Sequence, residues 1–340
     1  MTGKERFRAL LKNRKADRVG FWMGNPHHDT LPLYNAYFGV DSKEALALKL
    51  GDDFAWLAAD HIAWRHPECK QKFDVLGGQE RHSLGQDGVF ANCEDVREVE
   101  RFAWPDEKYL DLDILEAHID TATANGLGIA SGSWSSFFHD VADFFGMENY
   151  FVKMYTDPDV VEAVTEHVVD FYLRANALVY ERMGHKIDAL FMGNDFGSQL
   201  DLLVSPECFQ RFIMPSFQKL IDQAKAAGLS VILHSCGSIN RVIPWLIEAG
   251  VDALHPLQAR ARGMEAENLT QYKDDILFIG GVDTQHLLPF GTPQEVREEV
   301  LRLGNLFGPG WIVSPSHEAL LPNVPAENLL AMRDAARELA

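Results

Sequence analysis

The sequence predicts an α/β protein built as a single distorted (β/α)8 barrel. Three observations predict it. Eight short β-type runs lie along the chain, at residues 18–23, 54–58, 128–131, 189–192, 231–234, 253–256, 277–280 and 311–314. Amphipathic helical segments separate most of them, the alternation of a parallel barrel. No G-x-G-x-x-G follows any run, which disfavours the main rival, a doubly wound open sheet.

The helices carry readable boundaries. Asp157-Pro158 opens one that runs through Val161, Val164, Val168 and Phe171 to Met183, and Gly184 closes it. Ser205-Pro206 opens the next, which carries Phe209, Phe212, Ile213 and, after Pro215, Phe217 and Leu220. Gly228 and Gly250 end the helices before the fifth and sixth runs. Thr292-Pro293-Gln294-Glu295 supplies an N-cap, a proline at the first helical position and a glutamate two further on. Residues 59–103 break the alternation. Their turn-rich Gly77-Gly78 and Gly85-Gln86-Asp87-Gly88 predict a β-hairpin excursion after strand 2, near the mouth. Nothing there reads as a linker, so residues 1–340 are taken as one domain.

Composition narrows the function classes. With 46% hydrophobic and 24% charged residues the chain can bury a large core. A net charge of −19 without a Lys/Arg-rich run argues against nucleic acid and anionic membrane surfaces as partners. No apolar stretch approaches 18 residues, and no signal-type core follows Met1, so a cytoplasmic location is expected. Cys69, Cys93, Cys208 and Cys236 have no paired spacing, so reduced thiols are expected. A homodimer is left open.

Barrel active sites form at the C-terminal ends of the strands. Polar side chains gather at those positions here. Trp22, Asn25, His27 and His28 follow the first run; Ser133, Trp134 and His139 follow the third. Asn194 and Asp195 end the fourth, His234 and Cys236 the fifth, His255 the sixth and Asp283 the seventh. The eighth leads into Ser314-Pro315-Ser316-His317-Glu318. Along a strand side chains alternate, so His234 and Cys236 point the same way, and imidazole beside thiolate suits zinc. Adding His317 gives three ligands and an open position, the pattern of catalytic zinc. Strands 5 and 8 are not neighbours in such a barrel, so their loops must converge over the mouth.

These residues also carry a resemblance spanning nearly the whole chain. His234-Ser235-Cys236-Gly237, Gly280-Gly281-Val282-Asp283, Ser205-Pro206-Glu207 with Phe209, and Ser314-Pro315-Ser316-His317 leading to Pro325-Ala326-Glu327-Asn328 resemble the uroporphyrinogen decarboxylase superfamily. That superfamily includes cobamide-dependent methyltransferases acting on methylated corrinoid proteins. The decarboxylases use an arginine-bearing R-Q-A-G-R motif after the first strand, where this chain reads Gly24-Asn25-Pro26-His27-His28. Without those cations a polycarboxylate has no evident electrostatic hold. The methyltransferase branch is similar to a His-x-Cys pair plus a cysteine after strand 8; His234 and Cys236 match, and His317 stands in place of that cysteine.

The resemblance therefore implies a zinc-dependent methyltransferase moving a methyl group between a small methylated substrate and a corrinoid supplied by a partner protein. His234, Cys236 and His317 would bind zinc. Asp195, His255 and Asp283 would orient substrate or ligands, and Trp22, Asn25, His27, Trp134 and His139 would line the cofactor's place. Imidazole in place of thiolate makes the metal more Lewis acidic, a lean toward a methoxy compound. Two rival readings remain. One is a metal-independent lyase of decarboxylase type with His317 and Asp53 or Asp195 handling protons. The other is a tetrapyrrole- or corrinoid-binding protein in which Trp22, Trp134, Phe137 and Phe138 matter most.

Overall fold

The computed structural model describes residues 1–83 and 85–339. Eight parallel strands form one curled sheet: β1 (Gly20–Phe21), β2 (Phe54–Ala58), β3 (Gly128–Gly132), β4 (Ala189–Gly193), β5 (Ser230–His234), β6 (Ala253–His255), β7 (Leu277–Val282) and β8 (Trp311–Pro315). Neighbours run in the order β1-β8-β7-β6-β5-β4-β3-β2, so β1 and β2 are the sheet's two edges. The arrangement is that of a (β/α)8-type barrel.

Alternation along the strands divides the apolar residues into two layers. Phe54, Ala130, Ala189, Phe191, Ile232, Ala253, Leu277, Ile279 and Ile312 fill the interior with Trp22. Ile129, Leu190, Val231, Leu233, Leu254, Phe278 and Val313 belong to the larger core shared with the helices. Thr2 makes a capping box at the N-terminus of helix Gly3–Asn13, and Thr292 with Glu295 makes the expected one at Pro293–Phe307. The expected helix from Ser205 is interrupted by a π-turn at Phe209–Ile213, immediately before the segment that carries Pro215 near its start. Proline has no N–H to continue the i→i−4 ladder, and a wider turn absorbs the fault.

The two edges of the sheet meet at a seam closed mostly by carboxylates. The Phe21 amide donates to Asp53 Oδ2 at 2.8 Å and the Met23 amide to Asp52 Oδ1 at 2.9 Å. One backbone bond, Asp53 N to Phe21 O at 2.9 Å, completes the contact. Arg6 Nη1 lies 2.5 Å from Asp53 Oδ1 and compensates its buried charge.

The hairpin expected within residues 59–103 is not formed among the described residues. Helix Ala59–Ile62 and turns occupy the segment, with helix Val96–Glu100 near its end. Leu84, inside the expected excursion, and Ala340, at the end of the expected domain, lie outside the described residues. Gly77 and Gly78 do turn the chain at positive φ, but the flanking residues have no apolar alternation to bury on one sheet face. Two aromatic anchors hold the segment instead. Phe73 packs on Phe144, Phe171 and Tyr172, and Phe90 packs on Phe102 and Phe144. Among the described residues no helix is long and apolar enough to cross a membrane.

Candidate metal centre at the barrel mouth

The register of β4, β5 and β6 sets the centre. His234 pairs with Gly193 on one side and with His255 on the other, so two imidazoles leave adjacent strand ends. The chain then bends away from the ladder, and Cys236 N donates to Asp195 Oδ1 at 2.7 Å. That bond draws the end of β4 onto the end of β5. Gly237, at φ +86, lies so close to Gly197 that a Cβ there would meet the Gly197 backbone at 2.1 Å. Asp195 N receives its own support from His139 Nε2 at 3.0 Å.

The outcome is a compact donor set. Ligand atoms of Asp195, His234 and Cys236 all lie within 4.8 Å of one another. His234 Nε2 stands 3.1 Å from Asp195 Oδ1 and 3.4 Å from Cys236 Sγ. The other edge of the ring meets supporting groups: Nδ1 is 2.9 Å from His255 Nδ1 and 3.5 Å from Glu318 Oε2. Burial keeps His255 far below the ordinary histidine value, and repulsion from His234 and His317 adds to it. The two rings meet Nδ1 to Nδ1, so one donates to the other, and in either arrangement Nε2 of His234 faces the thiol and carboxylate. Metal-ligating histidines are normally oriented in this way.

The charges fit a cation. Burial opposes ionisation of Asp195, yet contacts with His234, the Cys236 amide and His139 outweigh it and hold the carboxyl well below its usual range. Burial likewise opposes a charge on His234, but Glu318, Cys236 and Asp195 together push its imidazole well above the ordinary value. Soft sulfur, nitrogen and oxygen donors in one partly buried cluster are what zinc takes. Glu318 Oε2 is a buried oxygen with no hydrogen-bond partner among the described residues.

The structure brings some of the expected residues here and places others elsewhere. The loops after β5 and β8 do converge: the His234 and His317 rings are 6.1 Å apart, and contact with the Cys236 thiol is the main influence raising the His317 imidazole, against burial. His317 Nδ1 accepts from Ala319 N at 3.1 Å. Trp134 packs against His234 at 5.3 Å, and Trp22 against His255 at 5.3 Å. Asp283 pairs with Arg260 at 2.9 Å and caps Gln285, apart from the donor cluster. Asn25 and His27 belong to a two-stranded ladder, Asn25–Pro26 with Ala319–Leu320. Their backbones pin the His317 loop, while the Asn25 side chain accepts from Lys43 and the His27 ring lies beside His28 and Asp29. Asp53 sits at the N-terminal end of β2, away from the mouth, and Phe137 and Phe138 are core.

Sequence reasoning gave no role to Glu318, Asp60, Lys72 or Trp56. Trp56 was within reach, since it shares the inward parity of Phe54. Asp60 Oδ1 accepts the Trp134 amide at 2.7 Å, and its Oδ2 accepts from Lys72 Nζ at 2.5 Å. Beside His317 lies a cavity of about 410 Å³ lined by Gln258, Thr284, Gln285, Ser316 and Asn323 among others.

Comparison with known proteins agrees with this architecture. The profile of the uroporphyrinogen decarboxylase (URO-D) family matches residues 110–339. A methylated-thiol–coenzyme M methyltransferase of Methanosarcina mazei is 26% identical over 201 residues, 57% of this chain and 48% of that protein. A methylcobamide:CoM methyltransferase MtbA of Methanosarcina acetivorans is 21% identical over 201 residues, 58% of this chain and 55% of that protein. The matched stretch thus spans about half the length of these curated relatives. A solved methyltransferase from Methanosarcina mazei shares the fold, with a TM-score of 0.69, 18% identity and 99% of each chain covered. Because the family match extends over well more than half of its length, this chain belongs to the uroporphyrinogen decarboxylase family.

Proposed function

We propose that the protein transfers a methyl group between a small methylated compound and a corrinoid carried by a partner protein, at a zinc ion held by His234, Cys236 and Asp195. The observation that carries this reading is the donor cluster itself, three ligand atoms of mixed chemistry within 4.8 Å at the strand ends. A zinc ion bound there would supply Lewis acidity toward a sulfur or oxygen atom of the substrate and so lower its pKa. The relatives named above, which act on methylated thiols and methylcobamides, support the same class of chemistry.

The chain's own residues do the rest. His255 and Glu318 fix the ring of His234 so that Nε2 faces the cluster. His139 steadies the Asp195 backbone, and His317 lies against the Cys236 thiol, where it orients the sulfur. Trp134 covers the His234 side of the mouth and limits access of water. Taking Asp195 rather than His317 as third donor restores the anionic charge of a two-thiolate set. The charge argument for a methoxy substrate then no longer separates it from a methylated thiol.

Metal analysis of purified protein tests the reading. Stoichiometric zinc is expected in the wild type and in His317→Ala, and its loss in Cys236→Ala and Asp195→Ala. Retention in Asp195→Ala with loss in His317→Ala would restore His317 as third ligand. A wild type free of zinc after handling without chelators, and inert toward methylcobalamin with a thiol acceptor, would sink the proposal.

A further inference from the structure

Beside the donor cluster the barrel interior turns aromatic. Trp56 and Trp134 stand 4.7 Å apart with planes tilted by 50°. Phe191 lies 5.5 and 5.7 Å from them, and Trp22 lies behind, 5.9 Å from Phe191. Trp56 and Trp134 are only partly buried, although burial of an indole is favourable and the core around them is dense.

The seat of Trp134 is built for it. A Cβ on Gly193, at the end of β4, would fall 1.8 Å from Trp134 Cζ2, so the indole lies where only glycine leaves room. Asp60 fixes the same residue through its amide. Trp56 Nε1 is buried without a partner among the described residues.

The wall carries no stacked lysine or arginine among the described residues. Among the described residues, lysine and arginine lie over Phe73, Tyr172, Tyr109 and Phe212, never over these tryptophans. The Asp195 carboxylate stands 3.1 Å from the His234 ring that packs on Trp134, on a chain of charge −19, whereas the Asp60 carboxylate behind Trp134 is already paired with Lys72. Indole faces attract a cation whose charge is spread over methyl groups, because the ring quadrupole is negative over its face and such a cation is cheaply desolvated.

We infer that the indole wall formed by Trp56 and Trp134 binds a methylated onium head group, a quaternary ammonium or a sulfonium, next to His234 and Cys236. This deepens the methyl-transfer reading by naming a class of methylated substrate. It concerns binding, so it is tested without turnover.

The experiment is calorimetric titration of the protein with choline and with 3,3-dimethyl-1-butanol, its uncharged carbon isostere, with tetramethylammonium and trimethylsulfonium distinguishing nitrogen from sulfur. Choline should bind about tenfold more tightly than the isostere, a difference of about 1.4 kcal/mol. Trp134→Leu and Trp56→Leu should each remove most of that preference, and Trp134→Phe should keep part of it, which guards against a leucine variant that fails to fold. Equal binding of choline and isostere, no binding of either, or a preference that survives both leucine variants would overturn the inference. Zinc bound without an onium preference leaves the methyl-transfer reading standing and removes this one; the reverse result leaves the wall assigned and removes the metal.

Discussion

Replacing Lys72 with methionine should destabilise the protein and loosen Trp134 together. The Lys72–Asp60 pair is 2.5 Å long, with the Asp60 side chain fully buried and that of Lys72 18% exposed. Lys72 Nζ also donates to Tyr172 OH at 2.6 Å, and Tyr172 donates to Asp140 Oδ2 at 2.6 Å. Removing one partner of a buried pair costs about 3–5 kcal/mol, because the remaining charge stays desolvated. The partial exposure of Lys72 places the expected loss near the lower bound, about 3 kcal/mol. In Asp60→Asn/Lys72→Met both charges go and the amide oxygen can still accept from Trp134 N, so the double variant should lie within about 1 kcal/mol of wild type. Urea unfolding followed by circular dichroism measures all four proteins and yields a coupling of about 2 kcal/mol or more. A Lys72→Met loss below about 1 kcal/mol, or single losses that simply add up in the double variant, would refute the reasoning.

The same pair sets a pH dependence. Burial pushes the Asp60 carboxyl up, but Lys72, His61 and the Trp134 amide outweigh it and leave it below its ordinary value. A depressed acid contributes stability that is present above the ordinary carboxylate range and is lost as pH falls through the folded value. Burial opposes the charge on Lys72, yet Asp60, Tyr172 and Asp140 raise it well above its ordinary value. That contribution is present below the ordinary lysine range and is lost only as pH rises through the folded value. The double variant should therefore lose less stability than wild type between about pH 4 and pH 2.

Three further outcomes follow from contacts already described. Gly193→Ala should displace the Trp134 indole, changing tryptophan emission and costing about 1–3 kcal/mol in denaturant unfolding. Asn194→Ala should cost about 2–3 kcal/mol by the same measurement, because the buried Asn194 amide accepts from Phe138 N at 3.0 Å and donates to Ser135 O at 3.0 Å. Glu318→Gln should weaken zinc binding by roughly 10- to 100-fold in chelator competition while leaving the thermal midpoint close to wild type, since the carboxylate supports the imidazoles of His234 and His317.

The eight strands and their polar ends were legible because period-2 burial and helix caps are local signals. Thr292 and Glu295 form the capping box that their spacing announces. His234 and Cys236 were legible for the same reason. Asp195 was seen at a strand end, but its place in the donor cluster depends on the Cys236 amide folding back to it, a contact across 41 positions of sequence. The convergence of His317 on Cys236 depends on the ladder of Asn25–Pro26 with Ala319–Leu320, two short segments that no periodicity marks. Residues 59–103 misled because glycine pairs signal a turn without saying whether the flanking chain pairs with itself or, as at Phe73 and Phe90, drops anchors into a neighbouring layer.

The seam at Asp52 and Asp53 bears on how the chain becomes a ring as it is made. β1 leaves the ribosome before the other seven strands of the sheet, yet its ladder partners are Ile312 and Val313, in the last of them. Asp52 and Asp53 arrive about thirty positions after it and offer Phe21 and Met23 acceptors at once. A side-chain clasp of this kind lets the first strand be held in place by β2 through most of synthesis, with its other edge open until β8 emerges. The final strand then completes a site that already contains Asp195, His234 and Cys236, and brings with it the loop bearing His317 and Glu318.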